Sequence, residues 1–154
     1  MSAIDMFTDG STLFNQEPSK RRGGIGVFFG DNDNRNISEE IFGEVTNQRM
    51  ELLAVIRGLK NCNSININIY TDSICVINSL TVWIFNWEKN NWKNAKGKDV
   101  KNKDLIMELN EIIKSKNVNF HHVKAHQKKP NNNLDYKLWY GNKMADYLAT
   151  NCFS

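Results

Sequence analysis

The 154-residue chain has no apolar run approaching the ~20 residues that a membrane-spanning helix needs. Its N-terminus, Met1-Ser2-Ala3-Ile4-Asp5, lacks a basic region followed by an apolar stretch, so no secretory signal is read. Cysteine is scarce. Cys62, Cys75 and Cys152 are odd in number and widely spaced, which gives neither a zinc-ligand pattern nor a disulfide framework. They read as reduced thiols of an intracellular protein, cytoplasmic or nuclear and not secreted, with no membrane partner. No Ser-His-Asp or Cys-His pattern competes for covalent catalysis. There is no internal repeat and no long linker, so residues 1–154 read as a single domain, large enough to bury a core.

What is present is uneven charge. The net charge is only +3. The stretch from Glu88 to Lys103 holds six lysines (Lys89, Lys93, Lys96, Lys98, Lys101, Lys103) against Glu88 and Asp99, a local balance of +4, so the rest of the chain is near neutral. A solvated loop would look like this, but a basic patch also points to a polyanionic partner.

Hydrophobic periodicity organises the chain into strands and helices. Residues 4–9 alternate and end at Asp9-Gly10, a turn signal. Residues 23–30 and 36–45 read as two further strands of an antiparallel meander joined through Asp31-Asn32-Asp33-Asn34. Residues 47–61 carry Leu52, Val55, Ile56 and Leu59 at helical spacing. Residues 65–70 alternate strictly. Residues 73–80 continue as a helix capped by Asp72 or Ser73. An irregular basic segment follows, then a helix over 103–115, a strand over 118–123 and a short helix over 142–151. A strand joined through a helix to another strand implies parallel pairing with a right-handed crossover. The expected fold is α/β, with a five-stranded mixed sheet flanked by helices.

Four acids sit at telling places in this pattern: Asp9, Glu51, Asp72 and Asp146. Each has an ordinary structural explanation. Asp9 precedes a turn glycine, Asp72 suits an N-cap, and Glu51 and Asp146 complement helix dipoles. Jointly they say more. Asp9 and Asp72 close strands one and four, where α/β sheets collect ligands, and the helices of Glu51 and Asp146 could flank those ends. Crowded carboxylates cannot all stay ionised without cations. Hard oxygen donors suit Mg²⁺, with Mn²⁺ as a substitute, and a pair of such ions is a device for breaking phosphodiesters.

Five phrases in order, Thr8-Asp9-Gly10-Ser11, Thr46-Asn47-Gln48-Arg49-Met50-Glu51, Tyr70-Thr71-Asp72-Ser73, Val123-Lys124-Ala125-His126 and Gly141-Asn142-Lys143-Met144-Ala145-Asp146, resemble type 1 ribonuclease H over nearly the whole chain. The resemblance implies the ribonuclease H fold and hydrolysis of the RNA strand of RNA–DNA hybrids, leaving 3′-hydroxyl and 5′-phosphate ends. It implies that Asp9, Glu51, Asp72 and Asp146 hold two Mg²⁺ ions. It makes His126 a catalytic group that aids proton transfer or product release. His121 and His122 lie in a strand and read as structural. The implied enzyme acts as a monomer without a separate hybrid-binding domain.

Trp83, Trp87 and Trp92 are interleaved with Lys89 and Lys93, a combination that suits a nucleic-acid groove. The segment, with Lys96 and Lys98, resembles the basic protrusion of many family members. That likeness places Trp83 and Trp87 along the DNA-strand channel, Thr46 and Asn102 on a DNA phosphate, and Asn15, Asn47 and Gln48 in the minor groove. Neutral amides can read the 2′-hydroxyls that separate RNA from DNA. Two departures stand out. Glu44 replaces a commonly basic residue beside Thr46, which should weaken phosphate binding. The segment from Gln127 to Tyr140 is long for the family and makes Asp135 a rival to Asp146. Two other readings are a non-catalytic hybrid-binding protein and a DNA endonuclease of the same fold.

Overall fold

The computed structural model describes residues 3–13, 18–125 and 127–153. Strands β1 (Ile4–Leu13), β2 (Arg22–Phe28) and β3 (Ile37–Ile41) are followed by helix α1 (Asn47–Lys60), β4 (Asn66–Thr71), α2 (Ile74–Asn78), α3 (Ile84–Lys89), α4 (Lys103–Lys114), β5 (Asn117–His122) and α5 (Asn133–Thr150). The strands form one sheet in the order β3-β2-β1-β4-β5. β1, β2 and β3 pair antiparallel, whereas β4 joins β1, and β5 joins β4, in parallel. The mixed five-stranded sheet expected from the sequence is therefore the one observed.

Alternation along β1 divides the core. Met6 faces one side with Ile25, Val27, Ile67 and Ile69, covered by Met50, Val55 and Leu59 of α1 and Leu109 of α4. Phe7 faces the other side and packs with Phe28 and Ala145 of α5. Successive side chains of a strand point to opposite faces, so α1 and α5 necessarily sandwich the sheet. Within the run Gly23-Gly24-Ile25-Gly26, Gly24 and Gly26 lack side chains because α5 lies almost on this backbone. A Cβ on Gly26 would sit 2.1 Å from the Ala145 carbonyl oxygen.

Three local expectations are corrected. Asp9-Gly10 is no turn, since β1 continues to Leu13 with Gly10 opposite Ile25. Gly10 is there because α1 crosses so closely that a Cβ would lie 2.5 Å from the Met50 carbonyl carbon. The last helix starts at Asn133, not at 142. Asn132 caps it, its side-chain oxygen accepting from the Asp135 amide at 2.8 Å. The tryptophan segment is not irregular at its start. α2 runs through a wide π-helical turn, Ser79–Trp83, into α3. Ser79 Oγ and Thr81 Oγ1 donate back to the carbonyls of Cys75 (2.7 Å) and Ile77 (2.6 Å), the kind of bond that loosens a helical ladder.

Candidate active site

Strand β1 carries Asp9 into the interior, where its carboxyl is only 5% exposed. Glu51 comes from the second turn of α1, whose start is fixed by Thr46, the hydroxyl of which accepts from the Arg49 amide at 3.1 Å. Asp72 directly follows β4 and precedes Ser73, the N-cap of α2. Since β1 and β4 are parallel neighbours, they deliver Asp9 and Asp72 to the same end of the sheet. One carboxylate oxygen from each of Asp9, Glu51 and Asp72 lies within 4.8 Å of the others. Asp146 approaches from α5, on the opposite sheet face from Glu51, near enough to help raise the Asp9 carboxyl but outside the three acids whose oxygens lie within 4.8 Å of one another. Asp72 and Asp146 also line a common cavity of about 250 Å³. Asp135 sits near the start of α5, three turns or about 16 Å along the helix from Asp146. It is bonded to Asn132 and is no rival for the cluster.

The crowding is visible in the chemistry. Burial, then the charges of Glu51 and Asp72, pushes the Asp9 carboxyl far above the ordinary carboxylate range. Burial, then Asp72, pushes Glu51 up as well. Both shifts favour the protonated acids when no cation is bound. Glu51 Oε2 is buried without a hydrogen-bond partner, a cost that a native structure keeps for a reason. A divalent cation fits that reason, because these hard oxygens are the donor set that Mg²⁺ and Mn²⁺ take. No such fit exists for a soft metal, and among the described residues Cys62, Cys75 and Cys152 are free thiols outside the cluster.

A second cavity, of about 260 Å³, is lined by Gln48, Cys75, Trp83, Trp87, Lys101 and Asn102. Trp83 and Trp87 fall on one face of the α2–α3 rod, rings 6.0 Å apart. Trp83 is 40% exposed, whereas Trp87 packs against the core. Trp92 stands behind Trp87, ring to ring at 6.2 Å, and also rests on the core rather than in the groove. Lys89, Lys96 and Lys98 are exposed, and Lys93 pairs with Asp99 at 2.6 Å. Asn47 accepts from the Thr12 hydroxyl at 2.8 Å. Asn102, in a left-handed turn at the head of α4, touches both Gln48 and Arg49 at 3.4 Å. His126 and Asn15 lie outside the described residues. His121 stacks on Tyr70 at 4.8 Å and touches Asn68 at 3.1 Å, as a structural residue does.

Arg21, Arg49, Asp104, Trp139 and Lys143, which the sequence reading gave no role, complete the surroundings. Thr46 and Asn102 share an open depression with Arg21, Arg49, Lys103, Glu44 and Asp104. Arg49 holds Asp104 through two bonds of 2.8 and 2.9 Å and lies 3.7 Å from Glu44. Trp139 and Lys143 share the first cavity with Asp72 and Asp146. The only advance signal for Lys143 was its position three residues before Asp146, one helical step on the same face.

A family model described as RNase H matches residues 1–154. A ribonuclease HI of Haemophilus ducreyi is 43% identical over 127 residues, which is 82% of this chain and 80% of that protein. A ribonuclease H of Schizosaccharomyces pombe is 40% identical over 145 residues, covering 94% of this chain but 50% of that protein. Among solved structures, a foamy viral protease-reverse transcriptase in complex with an RNA/DNA hybrid superposes with a TM-score of 0.73 at 24% identity. That match covers 97% of this chain and 20% of the viral one, and it speaks for the fold alone.

Proposed function

The chain is an enzyme of the RNase H family, and from that membership we propose that it hydrolyses the RNA strand of RNA–DNA hybrids, leaving 3′-hydroxyl and 5′-phosphate ends. The observation that carries the reading is the convergence of Asp9, Glu51 and Asp72 around a buried, unpartnered Glu51 oxygen. Asp9, Glu51, Asp72 and Asp146 would hold two divalent cations, Mg²⁺ or Mn²⁺. When bound, these supply Lewis-acid activation of water and charge stabilisation at the departing 3′-oxygen. The protein's own part is to keep the four carboxylates fixed and pre-aimed, with Asp9 buried, so that little reorganises during reaction. The groove of Trp83 and Trp87 takes the DNA strand, with Lys89, Lys93, Lys96 and Lys98 attracting phosphates without reading sequence. Thr46 and Asn102 hold a DNA phosphate, and Trp92 supports the groove from behind. Asn15, Asn47 and Gln48 contact the minor groove. By the same family likeness His126 moves a proton or helps product leave. One domain, acting as a monomer, suffices for this.

The test is cleavage of an end-labelled hybrid with Mg²⁺ and with EDTA, using duplex DNA and duplex RNA as controls. Cutting of the RNA strand only, in Mg²⁺ only, is expected. Equal cleavage in both conditions, or none in either, would sink the proposal. Asp72→Asn should abolish turnover while hybrid binding in EDTA persists.

A further inference from the structure

The long segment after Ala125 is not a loose insertion. From Asn133 it is helical and lengthens α5 to 18 residues, about 27 Å. The C-terminal half of α5 lies on the glycines of β2, whereas residues 131–137 are exposed. Rings brace this extension. Tyr136 stacks parallel on Tyr140 at 6.0 Å and adjoins Trp139 at 5.6 Å, and Tyr140 meets Phe28 edge-on at 5.8 Å. Trp139 donates its indole N–H to the Gln127 carbonyl at 2.8 Å, which fastens the preceding loop to the helix. Its ring carries the Lys143 ammonium at 4.8 Å. Between Lys124 and Lys143 the chain has five lysines against one acid, Asp135.

This second basic and aromatic wall borders the acid cluster directly. Trp139, Lys143 and Gln127 line the cavity that Asp72 and Asp146 line. It lies on the α5 face of the sheet, whereas the tryptophan groove lies on the α1 face. A strand approaching Asp72 and Asp146 brings phosphates toward fixed carboxylates. A cation one helical step from Asp146 offsets that repulsion.

On the reading of function given above, we infer that Lys143 contacts a phosphate of the RNA strand beside the cut, and that Trp139 is the positioning residue that holds it there. The DNA strand, spanning the α1-face groove, does not reach this wall. The extension of α5 thus adds an RNA-strand subsite beside the acids.

The experiment uses the full chain with Mg²⁺ and with Ca²⁺, the latter for equilibrium binding. Lys143→Gln should raise KM about tenfold at low salt with kcat nearly unchanged, and should flatten the logarithmic salt dependence of binding by about one unit. Trp139→Ala should act in the same direction, and Trp139→Phe should restore much of the loss because a ring remains under the ammonium. Hybrids carrying a single methylphosphonate linkage locate the contact. Neutralising one RNA linkage near the cut should weaken wild-type binding but leave Lys143→Gln indifferent, a coupling read by a double-mutant cycle. Unchanged KM and salt slope in Lys143→Gln, or coupling to a DNA linkage instead, overturns the inference while hybrid cleavage by the wild type leaves the proposed function standing. A wild type that does not cut hybrids removes both.

Discussion

Replacing Asp9 by Asn should make the metal-free protein more stable while destroying its activity. Asp9 is 5% exposed, and its oxygens lie within 4.8 Å of those of Glu51 and Asp72. Two full charges at that separation, with an effective dielectric constant of about 20, repel by roughly 3 kcal/mol. The wild type evades part of this by keeping a proton, and the raised values of Asp9 and Glu51 express that evasion. The sign follows from proton counting. An unfolded aspartate titrates near ~4, so above that pH the folded state binds more protons than the unfolded state. Metal-free stability therefore falls as pH rises from about 4 towards the elevated folded values, by up to about 1.4 kcal/mol per pH unit for each proton retained. An amide at position 9 cannot ionise, and its NH₂ can donate to Glu51 as the protonated acid does. In EDTA at pH 7, Asp9→Asn should gain about 1–3 kcal/mol, a rise in Tm of roughly 2–10 °C for a chain of this size. The gain should widen at pH 8.5 and shrink at pH 5. Mg²⁺ should raise the wild-type Tm more at higher pH, because binding expels the retained proton, and should do little for the variant. Urea and thermal melts at three pH values, with and without Mg²⁺, measure all of this. A variant less stable than wild type in EDTA at pH 7–8.5, or an advantage independent of pH, would refute the electrostatic account.

Three further outcomes are expected. Asp104→Asn releases Arg49 from its two-bond partner beside Thr46 and Asn102; the pair is exposed on the Asp104 side, so stability should change by less than about 1 kcal/mol. Hybrid affinity measured by anisotropy should rise and its salt dependence steepen, because a phosphate no longer competes with an internal carboxylate. Trp83→Ala should leave stability within about 0.5 kcal/mol and cost about tenfold in hybrid affinity, whereas Trp87→Ala, packed on the core, should lose about 3 kcal/mol in urea melts as well. Gly26→Ala drives a Cβ against the Ala145 carbonyl; α5 must lift, costing about 1–3 kcal/mol in a thermal melt, and displacement of Asp146 should weaken Mg²⁺ binding by calorimetry.

Sequence periodicity conveyed the mixed sheet because β4 alternates Ile67 and Ile69 on the α1 face with Asn66, Asn68 and Tyr70 on the other, and because α1 repeats its apolar positions at helical spacing. Short-range chemistry is what such patterns encode. The misread places were those where a distant backbone decides. Gly10 looks like a turn residue until α1 is known to cross it, whereas the run Gly23-Gly24-Ile25-Gly26 reads correctly as a strand although nothing local shows that α5 presses on Gly24 and Gly26. The start of α5 was concealed by Asn131-Asn132-Asn133, which reads as low complexity, although Asn132 three before Asp135 is itself a cap signal.

The acid cluster shows the same division in sharper form. Asp146 lies late in α5, not early in the last helix as expected. Which residues are acidic, and that Glu51 and Asp72 stand in a helix's first turns and just after a strand, is local information. That their oxygens converge is not, and the structure adds why convergence is tolerable: Asp9 sits inside the strand rather than after it, with its Oδ1 accepting the Gly10 amide at 2.9 Å. Gly10 has no side chain because α1 must approach closely enough to deliver Glu51. A larger residue at 10 would preserve every acid in the sequence and still separate Asp9 from Glu51. The cation site proposed for this chain therefore depends on an absence, the missing Cβ at position 10, as much as on the carboxylates themselves.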